Sequence, residues 1–183
     1  DGIADLAAVS QPAAGGNATL SVWRHDGLSA LLPATTYPFA GLANVGGLAI
    51  GDVDGDTRGD AVVSNAAPLA PALWVLHQNA AGTLDAPVSL PTSSSPGLAF
   101  AVDLDRDGLT DLAAMHDGNL STMTYRLFGA ASEVSVPLAA ANRYVDGNVA
   151  FGDLDGDGCT DAAVSSKYSN IVGSIASVGI VRG

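Results

Sequence analysis

Four aspartates fall within nine positions at three places in this chain, in the same pattern each time. The three stretches are "GDVDGDTRGDAVVS" (51–64), "VDLDRDGLTDLAAM" (102–115) and "GDLDGDGCTDAAVS" (152–165). Their first aspartates, Asp52, Asp103 and Asp153, stand 51 and 50 residues apart. Self-similarity at a fixed period of this length is the mark of a repeat architecture, in which each period is one supersecondary unit. The chain opens on "DGIADLAAVS", which matches the back half of the same unit and aligns Asp5 with Asp60, Asp111 and Asp161.

Each period reads alike. An apolar run leads in ("GGLAIGD", "GLAFAVD", "GNVAFGD"), the acidic loop follows, and a second apolar run ("DAVVS", "DLAAM", "DAAVS") leaves it. A third run ("ALWVLHQ", "STMTYRLFG", "GSIASVGIV") and a fourth ("APVSLPTS", "SEVSVPL") come after small turns. The inner runs are apolar at successive positions, as strands covered on both faces require. Four short strands per ~50 residues with turn signals between them predict an all-β fold, a β-propeller of four-stranded antiparallel blades. The expected units are 1–45 (partial), 46–96, 97–146 and 147–183 (partial), about 3.5 blades in one propeller segment spanning 1–183. Closing a ring then calls for the remainder of a propeller or another copy of the chain.

Composition narrows the partners. The net charge is −12, and 12 of the 19 acidic residues lie in the three loops. Nothing in such a chain could neutralise a row of phosphates, so nucleic acid is excluded as a partner. No apolar stretch reaches the ~18 residues of a spanning helix, so membrane insertion is not expected. Cys159 is the single cysteine, which leaves no internal disulfide to form.

Four carboxylates in one short loop repel one another unless a cation sits among them. Alternate positions of an extended stretch point the same way, so positions 1, 3 and 5 of each loop can surround one centre. Gly at position 6 (Gly108, Gly158) allows the turn that brings the position-7 carbonyl and the position-9 carboxylate round. All the donors are hard oxygens, which suits Ca²⁺ better than the stricter octahedron of Mg²⁺. A solvated acidic turn would account for one such cluster, but not for three in register. An EF-hand is excluded, because position 12 holds Val63, Ala114 and Val164 where that loop needs Glu.

The run D-x-D-x-D-G-x-x-D before an apolar strand, repeated every fifty residues, resembles the FG-GAP/VCBS repeats of integrin-α-type propellers. Phe151-Gly152 supplies the "FG" of one repeat, and the "GAP" triplet is absent. The resemblance implies a structural calcium loop between the first and second strands of each blade. It implies three Ca²⁺ sites. The ligands would be Asp52, Asp54, Asp56, the Arg58 carbonyl and Asp60 in the first loop. In the second they would be Asp103, Asp105, Asp107, the Leu109 carbonyl and Asp111. In the third they would be Asp153, Asp155, Asp157, the Cys159 carbonyl and Asp161. The first loop departs from the pattern with Thr57 in place of Gly and Gly59 two residues on. The opening "DGIAD" retains Asp1, Ile3 and Asp5 of a fourth site, which alone should bind weakly or not at all.

No catalytic constellation appears: HExxH, GxSxG and CxxC are absent, and Cys159 has no basic sequence neighbour to activate it. His25 and His77 read as equivalent positions on third strands, and with His116 as surface or packing residues. Trp23, Trp74 and Tyr125 read as blade packing. Asn17 and Asn119 lie in glycosylation sequons. Calcium modules outside cells bind at about 10⁻⁴–10⁻³ M, far above cytosolic calcium. The sequence therefore predicts a non-enzymatic, extracellular or periplasmic propeller for adhesion or recognition of a protein or glycan. The alternatives are a structural subunit of an extracellular assembly and a non-catalytic propeller attached to a secreted enzyme.

Overall fold

A computed structural model describes residues 3–12, 16–42, 44–67, 69–116, 122–137, 144–170 and 173–181, with backbone alone at 144–148, 166–170 and 173–181. Asp1 and Asn119 lie outside the described residues. The described chain is all strand and turn, and its strands fall into four antiparallel sheets in chain order. The first holds β1 (Leu6–Ser10), β2 (Thr19–Trp23) and β3 (Thr35–Pro38). The second holds β4 (Val45–Gly51), β5 (Asp60–Asn65), β6 (Ala72–Leu76) and β7 (Val88–Pro91). The third holds β8 (Pro96–Val102), β9 (Asp111–His116), β10 (Thr122–Arg126) and β11 (Val134–Pro137). The fourth holds β12 (Tyr144–Gly152), β13 (Asp161–Asn170) and β14 (Gly173–Val181). Each sheet is a simple meander of neighbours, as expected for propeller-type blades, and the sheets are not closed into a ring.

The second strand of each full blade is where sequence pattern becomes packing. Every residue of β5 and β9 is buried. Alternate side chains of β5 serve different cores. Ala61 and Val63 join Leu20, Phe39, Leu42 and Leu76 between the first and second sheets. Val62 points the other way, to Leu73, Val75, Ala99, Leu112 and Ala114 between the second and third. One step along, Ala113 and Met115 meet Met123, Ala162 and Val164. A strand sandwiched between two apolar layers has no solvent face to show, so its middle residues, 61–63 in β5 and 112–115 in β9, are apolar at successive positions. Each fully buried Val, Leu, Met or Phe side chain among these contributes roughly 1.5–3 kcal/mol. The outermost strands β3, β7 and β11 are mostly exposed, and they carry Ser, Thr and Pro.

Strands β4 and β8 approach each other closely enough for backbone to meet backbone. A Cβ added at Gly46 would stand 1.9 Å from the Gly97 carbonyl oxygen and 2.7 Å from Ser64 Oγ, so the space for it does not exist. Buried Ser64 closes the contact: its Oγ accepts from Gly47 N at 2.6 Å and donates to the Gly97 carbonyl at 2.7 Å. The ladder slips at the same place in each first strand, between Val45 and Leu48, Pro96 and Leu98, and Val145 and Val149. Such bulges bend a strand where regular pairing would hold it straight.

Gly46→Ala is therefore expected to cost at least about 1–3 kcal/mol through overpacking against backbone. Exposed Gly59, where a Cβ would meet only Ile50 Cγ2 at an ordinary 3.5 Å, should accept Ala within about 0.5 kcal/mol. Urea unfolding of the two variants measures the difference, and equal midpoints would refute the close contact.

Candidate metal centres

The acidic loops connect β4 to β5, β8 to β9 and β12 to β13, the first strand of a blade to the second. One geometry recurs in all three. The position-1 carboxylate reaches forward and takes the position-6 amide: Thr57 N to Asp52 Oδ2 (2.7 Å), Gly108 N to Asp103 Oδ2 (3.0 Å) and Gly158 N to Asp153 Oδ2 (3.2 Å). Position 3 caps the amide two residues on, from Asp54 to Asp56, Asp105 to Asp107 and Asp155 to Asp157. Position 5 does likewise for Arg58, Leu109 and Cys159. These turns let aspartate replace backbone partners in a loop too tight for a ladder.

The loop needs left-handed backbone at two positions, where the sequence pattern predicts one. Position 6 has φ of 70° at Thr57, 88° at Gly108 and 94° at Gly158; position 4 has 79° at Gly55, 60° at Arg106 and 82° at Gly156. Thr57 thus adopts the glycine conformation despite its β-branched side chain, so the first loop keeps the common path at a cost in strain.

Position 9 has a second task that spacing alone does not reveal. Asp60, Asp111 and Asp161 are 0%, 1% and 0% exposed, although each is an acid at a loop end. Their Oδ2 atoms accept the position-2 amides of Val53, Leu104 and Leu154 at 2.8–3.0 Å. Asp60 Oδ1 takes Gln78 N, and Asp111 Oδ1 takes Phe128 N, both at 2.7 Å. In the first sheet Asp5 Oδ1 takes His25 N at 2.9 Å in the same way. The buried carboxylate therefore fastens the loop to the end of the third strand, where two charge-assisted hydrogen bonds compensate its burial.

The loops bring together the candidate donors Asp103, Asp105 and Asp111, and Asp153, Asp155 and Asp161, with one oxygen from each residue of a set within 4.8 Å of the others. Asp107 and Asp157 stay outside these sets, their Oδ1 atoms accepting the Leu109 and Cys159 amides. Asp103 Oδ1 is buried and meets no hydrogen-bond donor among the described residues. A buried carboxylate oxygen without a donor, on a residue grouped with two further carboxylates, fits a hard cation: such a group is costly to leave unpaired, and an ion supplies the partner. The second and third loops also touch, through Thr160 Oγ1 donating to the Asp103 carbonyl at 3.0 Å and Arg106 Nη2 lying 3.7 Å from Asp153 Oδ2.

The first loop gathers its acids differently. Asp52, Asp54 and Asp56 form one set, while Asp54 and Asp60 form another with His77. Arg58 pairs with Asp56 through its guanidinium and donates Nε to the Gln78 carbonyl at 2.9 Å. Partial desolvation works to raise the Asp52 carboxyl, but the amides of Thr57, Gly55 and Asp56 outweigh it and hold it below the usual carboxylate range.

The remaining residues singled out from sequence separate by environment. His116 is buried and satisfied, Nδ1 on the Ser95 carbonyl (3.1 Å) and Nε2 on Thr124 Oγ1 (2.6 Å), a packing histidine. His25 and His77 are not equivalent: the amide bonds to Asp5 and Asp60 align His25 with Gln78 and put His77 one residue earlier. Asp157, desolvation and Asp153 raise the Cys159 thiol, and Arg106 only partly offsets them, so it is a poor nucleophile. Trp74 packs edge-on against Phe39 at 6.2 Å, and Tyr125 lies against the third core, while Trp23 is half-buried on β2. Asn17 is exposed and its Oδ1 accepts Gly41 N.

No curated protein matches the chain. Residues 103–164 match a family model described as an FG-GAP-like repeat, a stretch that starts on the first aspartate of the second loop and ends just past the third loop. The chain carries an FG-GAP-type repeat.

Proposed function

We propose that this chain is a propeller-type recognition module that works outside the cell, with calcium bracing its second and third acidic loops. The observation that carries the calcium reading is the buried Asp103 Oδ1, which meets no donor among the described residues and belongs to a residue grouped with Asp105 and Asp111. Asp103, Asp105 and Asp111 would hold one ion, and Asp153, Asp155 and Asp161 the other. When bound, the ion neutralises the clustered charge. The chain's own part is to present the carboxylates: the position-6 amide holds position 1, an Asx turn holds position 3, and the buried position-9 residue ties the site to its blade. FG-GAP repeats are typical of extracellular recognition domains and generally non-catalytic, which supports the compartment and the binding role. Among the described residues no helix is long and apolar enough to cross a membrane. The ligand we propose is a protein or glycan bound through the loops of one rim.

Removing calcium should lower the melting temperature. One site at a hundredfold excess over its Kd contributes about 2.7 kcal/mol, which for a chain of this size is roughly 5–10 °C. An unchanged melt in chelator sinks the calcium reading. By titration calorimetry, Asp105→Ala should remove one bound calcium, while Asp85→Ala, whose carboxylate accepts from Asn79 Nδ2 at 2.8 Å, should remove none. Acid acts on the calcium-free protein too. Asp52 is held low as described, and Asp26 by the amides of Ala30, Leu28 and Ser29. Depressed folded-state values stabilise above the unfolded pKa near ~3.9, and that stability is lost as pH falls through them. Melts between pH 5 and pH 2 should show the decline, and Asp26→Asn should reduce it.

One observation favours a second reading, a subunit of an extracellular assembly. Strand β1 lies at a sheet edge, and half-exposed Leu6 and Ile50 line a cleft of about 480 Å³ between the first two sheets. An edge strand beside apolar surface is a template for pairing with a second copy. Sedimentation at rising concentration decides it; a strictly monomeric chain would count against this reading.

A further inference from the structure

The first loop differs from its two counterparts in the chemistry offered to a cation. His77 follows β6 directly, and its Nδ1 stands 3.2 Å from Asp54 Oδ2 and 3.2 Å from Asp60 Oδ2. All three donor atoms lie within 4.8 Å of one another. The corresponding residue of the third blade is Leu127, placed by the Phe128 amide on Asp111 just as Gln78 sits on Asp60. The imidazole is therefore a local feature of this loop rather than a property of the repeat.

A hydrogen bond alone accounts poorly for that arrangement. Nδ1 carries at most one proton, so it can serve one carboxylate well and not both. Asp60 Oδ2 already accepts Val53 N at 3.0 Å, and its Oδ1 accepts Gln78 N at 2.7 Å. Those amides fix the carboxylate's orientation in the way outer-shell donors orient a metal ligand. Bonds of about 2.0 Å to a tetrahedral ion put neighbouring donors about 3.3 Å apart, close to the separations His77 makes with both aspartates. Asp54 and the His77 side chain are each about 36% exposed, which leaves room for a solvent ligand in the remaining position.

We propose that Asp54, Asp60 and His77 form a mixed nitrogen–oxygen site for a transition-metal dication of the Zn²⁺ class, distinct from the calcium loops. An imidazole donor suits zinc, copper or nickel, whereas calcium takes oxygen donors. Arg58 contributes to the distinction. Its guanidinium pairs with Asp56 and its Nε holds the Gln78 carbonyl, which takes one acid away from an all-oxygen set and steadies the strand end beside His77. Three protein ligands and an open position are also the arrangement that lets zinc engage an external donor. The site borders a cleft of about 270 Å³ between the second and third sheets, lined by His77, Val53, Val75 and Phe128.

The test is titration of the untagged 183-residue chain with Zn²⁺ alone, in buffer saturated with calcium, followed by Co²⁺ as a visible-absorbance reporter. One zinc per chain is expected. His77→Ala should weaken it at least about tenfold and abolish the nitrogen-ligated Co²⁺ spectrum, with calcium stoichiometry unchanged. His77→Gln, which keeps a polar side chain of similar reach, should behave like His77→Ala if the imidazole is the ligand. His25→Ala and Asp105→Ala should leave zinc binding as it was. Zinc binding that survives both His77 substitutions, or no zinc binding at 100 µM, overturns the site. Neither result bears on calcium at the second and third loops, which is read independently from the Asp105→Ala stoichiometry.

Discussion

The second, third and fourth sheets each rest on one buried carboxylate. Asp60, Asp111 and Asp161 carry an acid out of water to the foot of the second strand. For Asp60 and Asp111, the loop's own amide and the third strand's amide both converge on it. Take that residue away and two amides lose their partner at the point where the first three strands of the blade meet. The cost of leaving buried donors unmade exceeds the gain from making them, so this bond pattern fixes the register of the blade as much as its stability. The loop geometry follows from it. With the far end anchored, positions 1 to 6 must double back within a few residues, and that forces two left-handed residues and a run of Asx turns.

The acid cluster and the apolar strands are thus two sides of one constraint. A second strand buried on both faces, as β5 and β9 are, cannot end in solvent-loving backbone without a polar residue to close it. Aspartate does this at the rim, and the neighbouring aspartates then share a small volume in which their charges oppose one another at about 1 kcal/mol per close pair even in water. In the second and third loops the proposed calcium ion would resolve the conflict. In the first loop the Arg58 guanidinium resolves part of it at Asp56, and the His77 imidazole lies beside Asp54 and Asp60.

Much of this was legible in the chain before any coordinates. The repeat spacing, the four strands per unit and the position of the acidic loop between first and second strands all follow from period and pattern, because burial on two faces and tight turns leave few sequence options. What was not legible depends on contacts across the sheet. The close contact of β4 with β8 backbone at Gly46 and Ser64 joins residues of separate sheets, and a glycine in a strand does not announce its neighbour. Thr57 looked like a departure from the loop, yet it holds φ of 70°, since the anchors on either side dictate the conformation and the residue complies. His77 was hidden by a single-residue offset. Aligned by eye with His25 it is a repeated surface residue, but aligned by the amide that binds the buried aspartate it stands one place earlier, beside the acids.

That offset shows how repeats of this kind diversify. The buried position-9 aspartate fixes where the third strand ends, so the residue just before that end is always delivered to the same spot beside the loop. Nothing in the blade's packing dictates what it is: Arg24, His77 and Leu127 occupy the place in the first three sheets. Leucine there leaves the loop to oxygen donors, and histidine adds a nitrogen. A scaffold fixed by backbone amides can therefore vary the donors beside an acidic loop through one side chain outside it, which is the variation that the proposed first-loop site rests on.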